Sequence, residues 1–353
     1  MSQQPKNLAL AQHNHLDKHR SFAPGVPNGM KEPIRLAAAM HSGGGSQCAG
    51  VRQQEARMGP NWLSNTLGEL EQLELYERLS ACLRDGPPSP NSTRGAWHAL
   101  DDCEHPEYGG GVNNFTPETF MCPSAERINP TVTISTYCLE GDGASKGNYA
   151  ACWGAPPLNG TQRDDDYYFG YTPDLSAADD QTRGMFRLEF LPESAYENEI
   201  RVNNPLRGGE TLDMRWLFGY GHGTRPADAI DGLTNSLMLS EVLAWESKKD
   251  GRGVWASAAM GATVFNARLT PNSRQLDKIP MCDQNWTSLP TPKGCIRERG
   301  SAGMFAAARS RHTKGVNTAL GDASGRFISD EIAPLVWRAL ATIAQGEALP
   351  ATY

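Results

Sequence analysis

Ser310 to Ser329 reads SRHTKGVNTALGDASGRFIS and holds a histidine, His312, and a carboxylate, Asp322, separated by nine residues. A histidine and an aspartate are the usual partners in proton transfer and common ligands of a divalent metal. Both chemistries need the groups close, with a general base within ~3 Å of the proton it takes. If Val316 to Leu320 is extended at about 3.3 Å per residue, the two side chains stand near opposite ends of a strand, roughly 20–30 Å apart. An architectural role is therefore expected, with no catalytic and no metal role. Asp322 suits a hairpin turn because its carboxylate accepts backbone N–H groups, and Gly325 is free to take positive φ in the same loop.

Other clusters carry weaker versions of the same chemistry. HNHLDKH sets His15 and His19 one helical turn apart, a spacing that could share a metal, but Ser, Pro and Gly follow at once and no third ligand is near. GASKG, Gly143 to Gly147, matches a nucleophile elbow at Ser145 with His222 or His312 as base. That motif needs a strand before and a helix after, and NYAACWG is not convincingly helical. GYGHGT, Gly219 to Thr224, lacks the spacing of a nucleotide cradle, and RDDDYYFGYTPD, Arg163 to Asp174, lacks the alternation of a calcium loop. Trp153, Trp216 and Trp245 could include a glycan-stacking platform, although most tryptophans belong in a core. Glu241 lies in an apolar run and is expected as a buried, paired carboxylate with Arg309 or Arg311 as partner.

The elements that must position these residues follow from periodicity. Lys6 to His19 places Leu8, Ala11 and His15 on one helical face and stops before SFAPG. NWLSNTLGELEQLELYERLSACL repeats at helical spacing through Leu67, Leu70, Leu73 or Glu74, and Leu75, which predicts a second helix. HSGGGSQ, His41 to Gln47, separates the two as a glycine-rich loop. From Gly86 to about Asp228 the chain reads as β-rich with long loops, with TVTISTYC and MFRLEFL as strands. DGLTNSLMLSEVLAW opens at an Asp231-Gly232 turn and continues as a buried strand or a short helix. GVNTAL and GRFIS form a hairpin around GDASG, and a last helix starts at Pro334 and stops at Gly346.

The 353 residues suffice for one large or two ordinary domains, and 39% hydrophobic content is globular. A net charge of −7 offers no basic field for nucleic acid. No apolar run reaches the ~18 residues of a membrane span, and no signal core is present. Eight cysteines without a C-x-x-C pair permit disulfides, and the Pro- and Gly-containing loop from Cys282 to Cys295 is the pair expected to close.

ARSRHTKGVNTALGDASGRFISDEI followed by VWRAL resembles the C-terminal signature of a large bacterial prepilin-type family, the domain of unknown function 1559 family. Its hallmark is a histidine, nine residues, then Asp-Gly. His312 and Asp322 fit. Ala323 stands where the glycine belongs, so the turn is expected to change type with Gly325 supplying the freedom. KNLALAQHNHLDKHRSFAPG, NWLSNTLGELEQLELYERL, FMCPS with Cys122 and Pro123, and NYAACWG are similar to further family segments in the same order. DGLTNSLMLSEV, with Asp231, Gly232 and Asn235, resembles the family's Asp-Gly-x-Ser-Asn-Thr segment. The family's basic leader, processing site and apolar helix are lacking: MSQQPKNLALA starts where that helix would be ending, which favours a truncated chain.

The resemblance implies an α+β, pilin-like fold. Residues 1–22 would be the remnant of the N-terminal helix, and 23–353 a single domain with an antiparallel sheet, long loops and a C-terminal hairpin plus helix. It implies a non-enzymatic exported protein of the periplasm or cell surface, pilin-like or pseudopilin-like, without cofactor, acting with copies of itself or similar subunits. Contact with a membrane would run only through the missing helix. A secreted binding module for glycan or another small ligand, or a hydrolase built on Ser145, are the alternatives.

Overall fold

The computed structural model describes residues 4–28, 61–85, 104–105, 110–111, 115–125, 145–156, 182–190, 223–245, 247, 250–257, 259–279, 282–283, 294–297 and 304–350. TVTISTYC, HSGGGSQ, RDDDYYFGYTPD, most of GYGHGT, and Trp216 lie outside them.

The first helix, α1, runs Gln4–His19. Leu8, Ala11 and His15 form its buried face, Lys18 and His19 complement the dipole of its last turn, and Arg20 turns left-handed to end it. A short strand β1 (Val26–Asn28) pairs in parallel with β5 (Leu188–Phe190).

The leucine-rich segment that predicts one helix forms three pieces: α2 (Trp62–Asn65), a 3₁₀ turn at Gly68–Leu70, and α3 (Leu73–Asp85). The reason is local capping. The Asn61 side chain accepts from Leu63 N and Ser64 N, the Thr66 hydroxyl donates back to the Trp62 and Leu63 carbonyls, and Glu71 sits at φ 61°. Leu67, Leu70 and Leu75 still reach one core, but from separate segments, whereas Leu73 is exposed.

The central sheet has five strands in the order β11-β10-β6-β4-β7. They are β4 (Tyr149–Cys152), β6 (Leu237–Glu241), β7 (Val264–Phe265), β10 (Gly315–Leu320) and β11 (Gly325–Ser329). All pairings are antiparallel except β4 with β7. Two further pairs stand apart: β2 (Glu104–His105) with β3 (Gly110–Gly111), and β8 (Asp277–Ile279) with β9 (Cys295–Arg297). The described fold is thus α+β with a mostly antiparallel sheet.

Both faces of the sheet are covered, and the period-two pattern divides the side chains between them. Tyr149 and Ala151 of β4 join a core with Leu8, Ala9 and Ala11 of α1. Ala150 and Cys152 join a second core beneath the last helix, α4 (Pro334–Ala341), with Trp337 and Leu340. The segment that could be strand or short helix is both: a 3₁₀ turn at Leu233–Asn235 feeds β6. Pro334 starts α4 as expected, but the helix ends at Ala341, capped by Thr342, ahead of Gly346. Gly346 turns at φ 76° where its N–H, with that of Gln345, donates to the Asp231 carboxylate. Asp231, Gly232 (φ 89°) and Asn235 therefore tie the C-terminal segment to the entry of β6, the Asn235 amide closing the turn on the Asp231 carbonyl.

The hairpin turn corrects one expectation. Asp322 accepts from Ser324 N at 2.9 Å, but the left-handed residue is Ala323 at φ 63°, and Gly325 is already paired in β11 with Ala319. Ala323 N donates to Leu320 O and Leu320 N to Ser324 O, which pins positive φ to position 323 whatever residue stands there. Alanine in that conformation costs about 1 kcal/mol relative to glycine.

Cys282 and Cys295 are joined in a disulfide, and closing that loop contributes about 3 kcal/mol in the chain-entropy account. Beside it lies a buried charge cluster. Arg252 pairs with Asp250 at 2.7 Å, and Lys146 donates to the carbonyls of Trp245, Ser247 and Asp250. Burial brings the Lys146 ammonium pKa down to about 8.

Candidate functional site

Four segments far apart in sequence meet on the α1 side of the sheet. β6 ends at Glu241, whose carbonyl accepts from Arg309 N at 2.8 Å, and whose nearly fully buried carboxylate leans over β10. There its Oε2 accepts from Asn317 N at 2.7 Å, leaving Oε1 to face outward.

His312 sits in the turn before β10. Its own N–H donates to the Ser310 hydroxyl, that hydroxyl donates to Gly315 O, and Lys314 takes φ 63°, so the imidazole is held above Glu241. The edge-on Phe327 ring, 6.3 Å away, closes one flank.

Cys122 arrives from a third direction, just after a 3₁₀ turn at Glu118–Phe120. Asn148 positions it: the Asn148 side chain accepts from Cys122 N, Asn148 N donates to Phe120 O, and Asn148 O accepts from Val242 N. Burial raises the Cys122 thiol pKa above its ordinary value, and the Glu241 charge adds to the effect.

Around His312 Nε2 stand Asn317 Nδ2 at 2.7 Å, Glu241 Oε1 at 3.0 Å, Ser124 Oγ at 3.4 Å and Cys122 Sγ at 3.5 Å. The ligand atoms of Cys122, Glu241 and His312 all lie within 4.8 Å of one another. A nitrogen, a sulfur and a carboxylate oxygen converging at this range form a donor set that suits a borderline-soft divalent ion.

The partners of Glu241 differ from those expected. Arg309 instead forms a bidentate pair with Asp277, at 2.7 and 2.8 Å, and Arg311 lies over the Trp245 ring. The reason is depth: Glu241 points to the α1 face, whereas Arg309 runs towards β8.

Asp322 is not part of this site. It occupies the turn at the far end of β10 from His312, so the two ends of the signature are joined by a strand and not by a contact. Pro123 is exposed beside Cys122.

The HNHLDKH histidines are spent on packing. His13 Nε2 meets Gly321 O at 2.9 Å, docking α1 on the hairpin turn, and His15 stacks on His19 with ring centroids 4.2 Å apart. His15 Nδ1 donates to Ser21 O while its Nε2 is buried without a partner, so the fold holds the neutral ring. Burial lowers its pKa to about 4 from 6.5. Between those values the unfolded chain binds a proton that the folded chain does not, so stability falls as pH drops through this window. The expected loss is about 3 kcal/mol, fully developed below pH 4 and absent above pH 6.5. Urea titrations at pH 7 and pH 4 on the wild type and a His15→Leu variant should differ by that amount, with the variant flatter.

Ser145 is buried and leads through Lys146, Gly147 and Asn148 into β4, without the helix a nucleophile elbow requires. Trp153 and Trp245 are buried, so neither offers a stacking surface.

Cys122 and Glu241 stand 190 and 71 residues from His312, and no single-sequence spacing connects them. The one signal in the sequence is that FMCPS, the segment ending in SEV, and RHTKGVN all lie in stretches similar to segments of one family.

The family model described as "Protein of unknown function (DUF1559)" matches residues 2–335. No curated protein and no solved structure matches the chain.

Proposed function

Because the chain belongs to the DUF1559 family, whose function is open, its role has to be read from its own build, and we propose an exported, non-enzymatic structural protein of pilin-like or pseudopilin-like kind. It works at the cell surface, in a fibre or beside a secretion apparatus, by associating with copies of itself or with similar subunits.

The observation that carries this reading is α1 packed on one face of a mostly antiparallel sheet, burying Leu8, Ala9 and Ala11 against it. A helix so placed can brace a sheet domain while its exposed side meets a neighbour. The Cys282–Cys295 disulfide supports export, since such bonds persist in oxidising compartments.

The test uses the native gene in its own cells, with fractionation, in-cell crosslinking and alkylation of free thiols before any reductant is added. The expected outcome is protein in the exported fraction, with Cys282 and Cys295 protected from alkylation and crosslinked ladders of subunits. A cytoplasmic monomer with both thiols alkylated would overturn the reading.

A further inference from the structure

We propose that Cys122, Glu241 and His312 bind a divalent transition-metal ion of the zinc class, which staples the Cys122 loop to the end of β6 and to the turn before β10. The inference does not depend on the structural role proposed above, and it departs from the expectation that no metal is held.

The first argument is valence at one atom. His312 Nε2 has four polar neighbours within 3.5 Å, yet an imidazole nitrogen offers a single hydrogen or a single lone pair. The Asn317 amide hydrogen requires the lone pair, whereas the Glu241 carboxylate requires the hydrogen. No tautomer serves both. Turning the Asn317 amide round with the hydrogen on Nε2 would leave that one hydrogen shared between Asn317 and Glu241, would set the amide oxygen against both Glu241 oxygens, and would leave the buried Cys122 sulfur with only the Ser124 hydroxyl. A cation on the Nε2 lone pair serves nitrogen, sulfur and oxygen at once. The Asn317 amide is then free to donate to Glu241, whose two oxygens it already approaches at 3.3 and 3.4 Å.

The second argument is size. With metal–sulfur bonds near 2.3 Å and metal–nitrogen and metal–oxygen bonds near 2.0–2.1 Å, the edges of a tetrahedral site are about 3.3–3.6 Å. Nε2 lies 3.5 Å from Sγ and 3.0 Å from Oε1. The Nε2–Sγ edge therefore already fits, the Nε2–Oε1 edge needs to open by only a few tenths of an ångström, and the Sγ–Oε1 edge lies within 4.8 Å.

The third argument is the supporting shell. Metal-ligating carboxylates and their loops are held by hydrogen bonds from outside the coordination sphere. Here Asn317 N fixes Glu241 Oε2, Asn148 fixes the Cys122 backbone, and Ser310 fixes the His312 turn. Ser124 marks the exposed side, where a water or the serine hydroxyl completes four-coordination. One carboxylate and one thiolate neutralise the charge of the ion, with a proton released from the thiol on binding.

The experiment uses the full chain purified without reductant, loaded with Zn²⁺, passed over a chelating resin and analysed by elemental mass spectrometry. Cobalt(II) serves as the spectroscopic probe. The expected result is about one ion per chain, with a cobalt spectrum showing a near-ultraviolet sulfur-to-metal charge-transfer band and intense tetrahedral visible bands. Cys122→Ser should abolish the charge-transfer band, and His312→Gln should weaken binding by at least about tenfold. His19→Gln, outside the cluster, should bind as the wild type does. Should either site variant fail to fold, the wild type still decides the matter: Zn²⁺ should slow alkylation of Cys122, mapped by peptide mass, at least about tenfold. Metal lost on the resin, a cobalt spectrum without the sulfur band, unchanged binding by both folded site variants, or Cys122 alkylation indifferent to Zn²⁺ would each overturn the proposal in favour of a plain His312–Glu241 pair.

Discussion

Replacing Arg309 with alanine is expected to destabilise the protein by about 3–5 kcal/mol, because it leaves a buried carboxylate without its counter-charge. The guanidinium and the Asp277 carboxylate are each only 2% exposed. Arg309 Nε and Nη2 form the bidentate pair, while Nη1 and Nη2 donate to the carbonyls of Ser273 and Gln275. Asp277 Oδ1 also accepts from Ala307 N. The alanine variant therefore strands the Asp277 carboxylate where water does not reach it, and removes the donors of the Ser273 and Gln275 carbonyls at the partly buried edge of the cluster. Replacing both ionic partners by apolar residues of similar volume should cost much less, since no unpaired charge remains. The measurement is the urea midpoint of Arg309→Ala, Asp277→Ala and the double variant Arg309→Met with Asp277→Leu. Additive losses in the double variant would contradict the account. Arg309 also matters to the site, because its N–H holds the Glu241 carbonyl and it lies three residues before His312.

Trp337→Ala should lose a comparable amount, about 3–5 kcal/mol, by a different mechanism: an apolar cavity opens in the second core. The Trp337 side chain is fully buried and roughly parallel to the Phe265 ring at 6.2 Å, and its indole N–H donates to Leu269 O at 2.9 Å. It is the main wedge between α4 and the sheet, beside Leu237, Val316 and Leu320. Trp337→Phe should recover part of the loss, keeping ring volume but leaving the Leu269 carbonyl unpaired. The check is again a urea midpoint at unchanged slope. A loss below about 1 kcal/mol for Trp337→Ala would mean that the site collapses freely and that α4 is not anchored by this residue.

Local rules carried a good part of the fold. The helical face of Leu8, Ala11 and His15, the Asp231-Gly232 turn, the GVNTAL and GRFIS hairpin and the start at Pro334 are set by short-range chemistry that the residues display themselves: side-chain periodicity, turn propensity and the fixed φ of proline. The same rules failed where tertiary demand intervened. The leucine repeat after Asn61 predicts one helix because spacing says nothing of a threonine that folds back on the helix end or a glutamate turned left-handed. Gly325 looks like the flexible member of its loop, but the register of β10 with β11 puts the positive φ on Ala323.

The sequence by itself determined which side chains able to bind protons or metals the protein would have, and in which local elements most of them would sit. It also placed His312 and Asp322 at opposite ends of a strand, because the length of an extended chain is a property of the backbone alone. Only the tertiary structure decided the company His312 keeps. Cys122 and Glu241 reach it through the register of β6 on β10 and the Asn148 clasp, contacts across 190 and 71 residues that depend on how the sheet assembles. Partners at such separation are chosen by packing and strand order, which no local pattern of residues encodes.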